Sequence, residues 1–265
     1  MKHISITSNE VKKSVETKKI LKDKLQKEGF EVYDEINENC DFIICIGGDG
    51  WFLKTAHDID FKRIPIIAVN TGHLGFFAEV EGDELDYFVN YLKNDEFIIQ
   101  TIDLIKTTIY ANNEVTVINS VNEIVIKNIC SRTVHLDISV DNRKIQSFSG
   151  DAILVSTPMG STAYNYSAGG SIVDPSLDII QLTPIAPMNT IAYRSFTSSV
   201  ILANTSKIKI CPENEFENSI LVVADGIEHD FNEIEKIVIE KSCKNIDIYR
   251  MKDYDFFRRV CKKFL

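Results

Sequence analysis

The stretch Ile43-Ile44-Cys45-Ile46-Gly47-Gly48-Asp49-Gly50 constrains the fold more than any other part of the chain. An unbroken apolar run bounded by glycines reads as a buried parallel strand. The residues that follow, Trp51 to His57, have helical composition, so the glycines form a strand-to-helix turn. Such turns lie at the carboxyl end of a strand, where open α/β sheets bind ligands. Glycine lets backbone N–H groups approach an anion, and a helix start adds partial positive charge. A lone carboxylate in such a turn repels phosphate. It is suited instead to holding a metal ion, or to accepting a proton from a hydroxyl that attacks phosphate. A tight turn with an aspartate cap and no chemistry fits the same residues.

The rest of the first hundred residues alternates strand and helix. Ile4–Thr7 is a short strand. Glu10–Glu28 has apolar positions Val11, Val15, Ile20, Leu21 and Leu25, an amphipathic helix stopped by Gly29. Phe30–Tyr33 is a second short strand. Pro65–Asn70 is another buried strand, ending in the glycine-bearing loop Thr71-Gly72-His73-Leu74-Gly75-Phe76-Phe77. Asp83–Asn94 reads as a helix. This alternation predicts an α/β domain with a doubly wound parallel sheet over residues 1–100.

Near residue 100 the apolar rhythm changes to period two, as in Ile105–Ile109, Val115–Ile118 and Val134–Val140. Asn112-Asn113 and Asp141-Asn142 read as hairpin turns. Strand signals return at Ser199–Leu202, Lys207–Cys211, Ile220–Ala224 and Lys236–Glu240. A β-rich second domain is therefore expected over residues 101–253. Residues 254–265 are aromatic and basic, with Phe256, Phe257, Val260 and Phe264 at helical spacing, and are expected to pack back on the first domain.

Composition sets the exclusions. A net charge of −10 argues against bulk attraction to nucleic acid or an anionic membrane. The six cysteines show no CxxC spacing and read as reduced thiols. No histidine pattern suggests a metal site. The opening residues do not resemble a secretory leader, and no apolar run approaches a membrane span of about 20 residues. A cytoplasmic protein is expected.

Three further stretches carry chemistry. Asn122-Glu123 interrupts a strand pattern, and an amide beside a carboxylate can grip a ribose or a base edge. A solvated turn is the plainer reading of that pair alone. Ser156-Thr157-Pro158-Met159-Gly160-Ser161-Thr162-Ala163-Tyr164-Asn165-Tyr166-Ser167-Ala168-Gly169-Gly170 follows a strand at Ile153–Val155. It is dense in hydroxyls, with a helical turn capped by Ser161 or Thr162, and suits a nucleotide. Ala224-Asp225-Gly226 is a turn signal that says little by itself.

Taken in order, Gly47–Gly50, Thr71–Phe76, Asn122-Glu123, Ser156–Tyr164 with Gly169-Gly170, and Asp225-Gly226 closely resemble the motif series of the NAD kinases. The likeness covers essentially the whole chain. The closing Phe256-Phe257-Arg258-Arg259-Val260 is similar to the tail of the compact Gram-positive members. The resemblance implies phosphorylation of the adenosine ribose 2′-hydroxyl of NAD by ATP or polyphosphate. The divalent metal, Mg²⁺ or another, would sit on the donor phosphates rather than in a protein-built metal site. It implies a homodimer or homotetramer with sites between domains and subunits. By the same resemblance Asp49 is the general base. Gly47, Gly48 and Gly50 bind phosphate, Gly50 and Asp49 also meeting NAD. Phe76 lines the adenosine pocket, Asn122 and Glu123 hold NAD, and Asp151 reaches it from a neighbouring subunit. Thr162, Ala163, Tyr164 and Ser167 contact adenine and nicotinamide, and Ala186 is a further pocket position.

Two positions depart from the family pattern. Trp51 stands where the family has Thr, which bears on donor choice. Ser149 stands where compact members have Arg, which removes a basic contact to the dinucleotide. Two other readings fit parts of the chain. One is a catalytically weak NAD(P)-binding sensor that lost its donor site through Trp51. The other is a lipid kinase sharing the glycine turn, against which the hydroxyl-rich segment and the Asn122-Glu123 pair speak.

Overall fold

The unbroken apolar runs Phe42–Ile46 and Ile66–Val69 become central strands in this protein. A computed structural model describes every residue except Met1, Asp83, Ser131, Ala192 and 214–219. The chain divides into two units, Met1–Ile102 with Lys244–Leu265, and Asp103–Cys243.

The first unit opens with β1 (His3–Ser8), α1 (Lys12–Lys27), β2 (Glu31–Tyr33), β3 (Phe42–Ile46), α2 (Asp49–Asp58), β4 (Ile66–Asn70), β5 (Ala78–Glu81) and α3 (Leu85–Asn94). Strands β2, β1, β3 and β4 lie side by side in that order, all parallel, and β5 pairs with β4. Every side chain of β3 and β4 is buried, as their apolar composition requires. Ile4, Ile44, Ile46 and Val69 pack with Leu21 and Leu25 of α1 and with Phe88 of α3.

Helix α1 departs from its expected stripe. Its buried positions are Ser14, Thr17, Leu21 and Leu25, whereas Val11, Val15 and Ile20 are about half exposed. The inner face begins with hydroxyls because Ser14 Oγ lies 2.6 Å from Thr71 Oγ1, which satisfies both groups where an apolar side chain could not. The helix stops as expected at Gly29, whose φ is +84°. Asp83, the first residue of the expected helix before α3, lies outside the described residues.

Strand β6 (Phe97–Ala111) leads into the second unit. There follow β7 (Glu114–Ser120), β8 (Glu123–Asn128), β9 (Val134–Val140), β10 (Arg143–Gly150) and β11 (Ala152–Ser156). A 3₁₀ turn (Met159–Thr162) and the single-turn α4 (Tyr164–Ser167) come next. Then come β12 (Ile179–Ile185), β13 (Val200–Ala203), β14 (Ile208–Pro212), β15 (Ile220–Ala224) and β16 (Ile227–Phe231). Among the described residues, β13-β12-β11-β8-β15-β16 form one antiparallel sheet. A second antiparallel layer is built from β10, β9 and β14, the β6–β7 hairpin and the first part of β17 (Ile234–Met251). Ile124, Ile153 and Val155 of the first layer share one core with Leu136, Ile138 and Ile210 of the second. Asn112-Asn113 and Asp141-Asn142 turn with both φ angles positive, between +49° and +65°, which is the hairpin geometry expected of them.

The end of β17 belongs to the first unit, where Ile248 pairs in parallel with Ile66 of β4. Residues 244–253, expected in the second domain, therefore cluster with the first. Strand periodicity alone does not reveal that one long strand serves both units. The chain ends in α5 (Phe256–Phe264), whose N-cap Asp255 accepts a hydrogen bond from the Arg258 N–H. No described helix is long and apolar enough to cross a membrane. The six cysteines are free, and burial pushes the Cys45 thiol up to about 12, so it stays protonated at physiological pH.

Candidate active site

Asp49 lies in the first helical turn of α2, not in the preceding loop, because the helix begins one residue after Gly48. A carboxylate there complements the positive end of the helix. Both of its oxygens are engaged. Oδ2 accepts the Phe76 N–H at 2.8 Å, and Oδ1 accepts the Phe77 N–H at 3.1 Å. The two glycine-bearing loops singled out in the sequence thus meet at this carboxylate. Gly75 makes the approach possible, since a methyl group on its Cα would overlap the Asp49 carboxylate. Gly47 is buried, Gly48 half-buried and Gly50 exposed. Trp51 packs its Cβ over the Cα of Gly47, and its indole Nε1 is buried with no hydrogen-bond partner.

Phe76 is buried under the C-terminal helix rather than presented to solvent. Its ring centroid lies 5.8 Å from that of Phe256 and 5.9 Å from that of Phe264. Five successive carbonyls of the same loop accept hydrogen bonds from cations near the chain end. Lys263 Nζ donates to Leu74 O, Arg259 Nη1 to Gly75 O and Ala78 O, and Arg250 Nη1 to Phe76 O and Phe77 O. Arg250 is itself buried, and also donates from Nη1 to Glu79 Oε1 at 2.7 Å and from Nε to Gln100 Oε1 at 2.7 Å.

In the second unit the Asn122-Glu123 turn is held from both sides. Asp225 accepts the N–H groups of Val121 and Asn122 at 2.7 Å each and of Glu123 at 3.3 Å. On the carbonyl side, Thr157 Oγ1 donates to Val121 O at 2.7 Å and Thr157 N–H to Asn122 O at 2.9 Å. Gly160 lets the hydroxyl-rich segment sit flat on this turn, because a methyl group there would overlap the Asn122 carbonyl. With the backbone so fixed, Asn122 Oδ1 and Glu123 Oε2 are left buried and unpartnered. Burial, and then the Asp225 charge, push the Glu123 carboxyl up to about 8. Glu123 therefore carries its proton at neutral pH and can both donate and accept.

The segment after β11 folds differently from the expected capped helix. Ser161 caps nothing. Its buried Oγ accepts the Val173 N–H at 3.0 Å and so closes the loop that follows. Thr162 is buried, Ala163 half-buried, and Tyr164 and Ser167 are exposed around α4. Asn165, which sequence reading passed over, is fully buried and accepts Thr183 Oγ1–H at 2.7 Å through its Oδ1. Asp151 and Ala186 are exposed neighbours at the end of the β11–β12 pair, where the Asp151 N–H donates to Ile185 O. Ala186 has a φ of +45°, unusual for a residue with a side chain. Asp225, Arg250 and Arg259 are the functional supports that sequence reading did not assign. Asp225 left a signal as half of a turn dipeptide and Arg259 as part of the closing aromatic and basic tail, whereas Arg250 left none.

An α/β unit with a carboxylate in a glycine turn, and a β unit with a fixed Asn-Glu pair, define a chain of the NAD kinase family, to which this protein belongs. Residues 2–97 match the ATP-NAD kinase N-terminal domain and residues 112–251 the ATP-NAD kinase C-terminal domain. The chain is 38% identical over 269 residues to an NAD kinase of Finegoldia magna, covering 100% of this chain and 98% of the relative. It is 35% identical over 226 residues to an NAD kinase of Ruminiclostridium cellulolyticum, covering 84% and 77%. Two solved structures share its fold. A yeast NADH kinase complexed with NADH has a TM-score of 0.84 at 21% identity, covering 98% of this chain and 86% of that one. An NAD kinase from Archaeoglobus fulgidus in complex with ATP has a TM-score of 0.79 at 24% identity, covering 98% of each.

Proposed function

We propose that this chain phosphorylates NAD to NADP, with ATP or polyphosphate as donor, and that Asp49 is its general base. The observation that carries the assignment is the fixed Asp49 carboxylate at the start of α2, held by the Phe76 and Phe77 amides. Each carboxylate oxygen spends one lone pair on an amide and keeps another for the substrate. A ribose hydroxyl is a very weak acid, so the base orients it and accepts its proton late, as the phosphoryl group arrives. Gly48 and Gly50 leave the helix start open for donor phosphate, whereas Gly47, packed against Trp51, spends its N–H on Val69 O and shapes the turn. Among the described residues no cluster of acidic, histidine or cysteine side chains could hold a metal. By the family resemblance the divalent cation, Mg²⁺ or another, sits on the donor phosphates, where it neutralises their charge.

In the second unit, Asn122 and the neutral Glu123 offer one amide and one carboxylic acid to adjacent ribose hydroxyls. An uncharged Glu123 grips them without repelling the dinucleotide phosphates. Thr162, Ala163, Tyr164, Ser167, Asp151 and Ala186 supply the remaining NAD contacts, and Phe76 acts on the adenosine side by holding its loop in place. The same reading carries a cytoplasmic homodimer or homotetramer. Leu177, Met188, Ile191 and Ile201 of the second unit are exposed apolar side chains of the sort a subunit contact covers.

The test is NADP formation from NAD with ATP and Mg²⁺, read by an NADP-specific dehydrogenase, with polyphosphate as a parallel donor. Turnover by the wild type, reduced by about 10²–10⁴ in Asp49→Asn with NAD affinity kept, is the expected result. Wild-type-like turnover in Asp49→Asn refutes the base assignment. Folded wild type that binds NAD without turnover refutes the kinase reading.

A further inference from the structure

The peptide units beside Asp49 have a second set of partners. The Gly75–Phe76 peptide donates its N–H to Asp49 Oδ2 at 2.8 Å, while its carbonyl accepts from Arg259 Nη1 at 2.8 Å. The Phe76–Phe77 peptide donates its N–H to Asp49 Oδ1 at 3.1 Å, while its carbonyl accepts from Arg250 Nη1 at 3.2 Å. Each peptide is thus held between a guanidinium and one oxygen of the same carboxylate. The two arginines bond the loop carbonyls and come from about 200 residues further along the sequence than Asp49.

We propose that Arg250 and Arg259 are positioning residues that fix and strengthen the hydrogen bonds to Asp49 through these two peptide units. A cation on a carbonyl draws electron density toward oxygen and leaves the N–H of the same peptide a stronger donor, so bonds in series reinforce one another. The arrangement also fixes orientation. Two amides on two oxygens define the plane of the carboxylate, and hence the direction of the lone pairs left for the ribose hydroxyl. Arg suits this task because a buried guanidinium has several donors in fixed directions. Arg250 reaches Phe76 O, Phe77 O and Glu79 from Nη1, one of whose two hydrogens is shared, and Gln100 from Nε, while its buried Nη2 has no partner. The aromatic contacts of Phe76 with Phe256 and Phe264 hold α5, and with it Arg259, against the loop.

The inference rests on the assignment of Asp49 as base, and two readouts separate the claims. Arg259 is the residue to change first, since it is half-buried whereas Arg250 is fully buried and risks misfolding. In ¹H–¹⁵N spectra, Arg259→Gln moves the Phe76 amide proton upfield, and Arg259→Lys restores part of the shift. In the NADP-formation assay, Arg259→Gln lowers kcat about tenfold with the KM for NAD within twofold. In the Asp49→Asn background, Arg259→Gln causes no further loss of residual rate. An unmoved Phe76 resonance overturns the proposal. So does an unchanged kcat, and so does an equal fold-loss in both backgrounds, which is what general loosening of the loop would give. If the wild type makes no NADP yet the resonance moves, the kinase reading falls and the positioning of Asp49 stands.

Discussion

Raising the pH from 6 to 8 should weaken this protein through Glu123, and Glu123→Gln should remove that part of the loss. The carboxyl is 8% exposed, its Oε2 has no partner, and its titration point lies at about 8 against an ordinary 4.5. The folded chain therefore keeps a proton that the unfolded chain has released. Its contribution to stability is fully present below 4.5 and is lost as pH rises through 8. A difference of one bound proton gives a slope of about 1.4 kcal/mol per pH unit, flattening near the folded value. Between pH 6 and pH 8 the loss comes to about 2 kcal/mol. Glutamine has the shape of the protonated acid and does not titrate, so the variant keeps wild-type stability at pH 6 and lacks this slope. Urea unfolding of both proteins at several pH values, compared as a difference, cancels the other titrating groups. Parallel pH profiles for wild type and Glu123→Gln would mean that Glu123 is ionised in the folded protein, and the neutral-grip argument would fail.

Three other substitutions probe the same scaffold. Asp225→Ala strips the acceptor from the Val121, Asn122 and Glu123 amides and should cost about 3 kcal/mol in urea unfolding. A loss below about 1 kcal/mol, with the KM for NAD unchanged, would show that the turn holds without it. Gly75→Ala pushes on the Asp49 carboxylate and should cut kcat about a hundredfold with NAD binding kept. Normal kcat would show that the loop yields instead. Trp51→Thr removes the ring packed over Gly47 and should cost about 2 kcal/mol while lowering the KM for ATP. Unchanged donor kinetics would confine Trp51 to packing.

Much of this arrangement is legible in sequence because it depends on neighbours along the chain. The apolar run of β3 and β4, the glycines after β3 and the paired turn residues at 112–113 and 141–142 are local signals with local causes. What sequence hides is backbone satisfied from far away. Asp225 lies 103 positions from the Asn122 amide it accepts, and nothing in an Asp-Gly dipeptide names that partner. Arg250 sits in an unremarkable stretch and Arg259 in a tail noted for its composition and family likeness, and the targets of both are carbonyls, which every residue has. The stripe of α1 was obscured for a related reason. Ser14 is buried because Thr71 is there to bond it, and a helix reading that looks for apolar residues places Val11 and Val15 inward instead.

Translation gives the split first unit a further meaning. Its opening portion, with β3, the glycine turn and Asp49, leaves the ribosome early, and residues 103–243 follow before the remainder is made. Until then β4 lacks Ile248 beside Ile66, the loop carbonyls lack both guanidinium groups, and Phe76 has nothing above it. A nascent or prematurely ended chain thus carries the carboxylate without the frame that aims it. The carboxylate and the frame that aims it are thus made at different times, and the first unit is complete only when residues 244–265 have joined it.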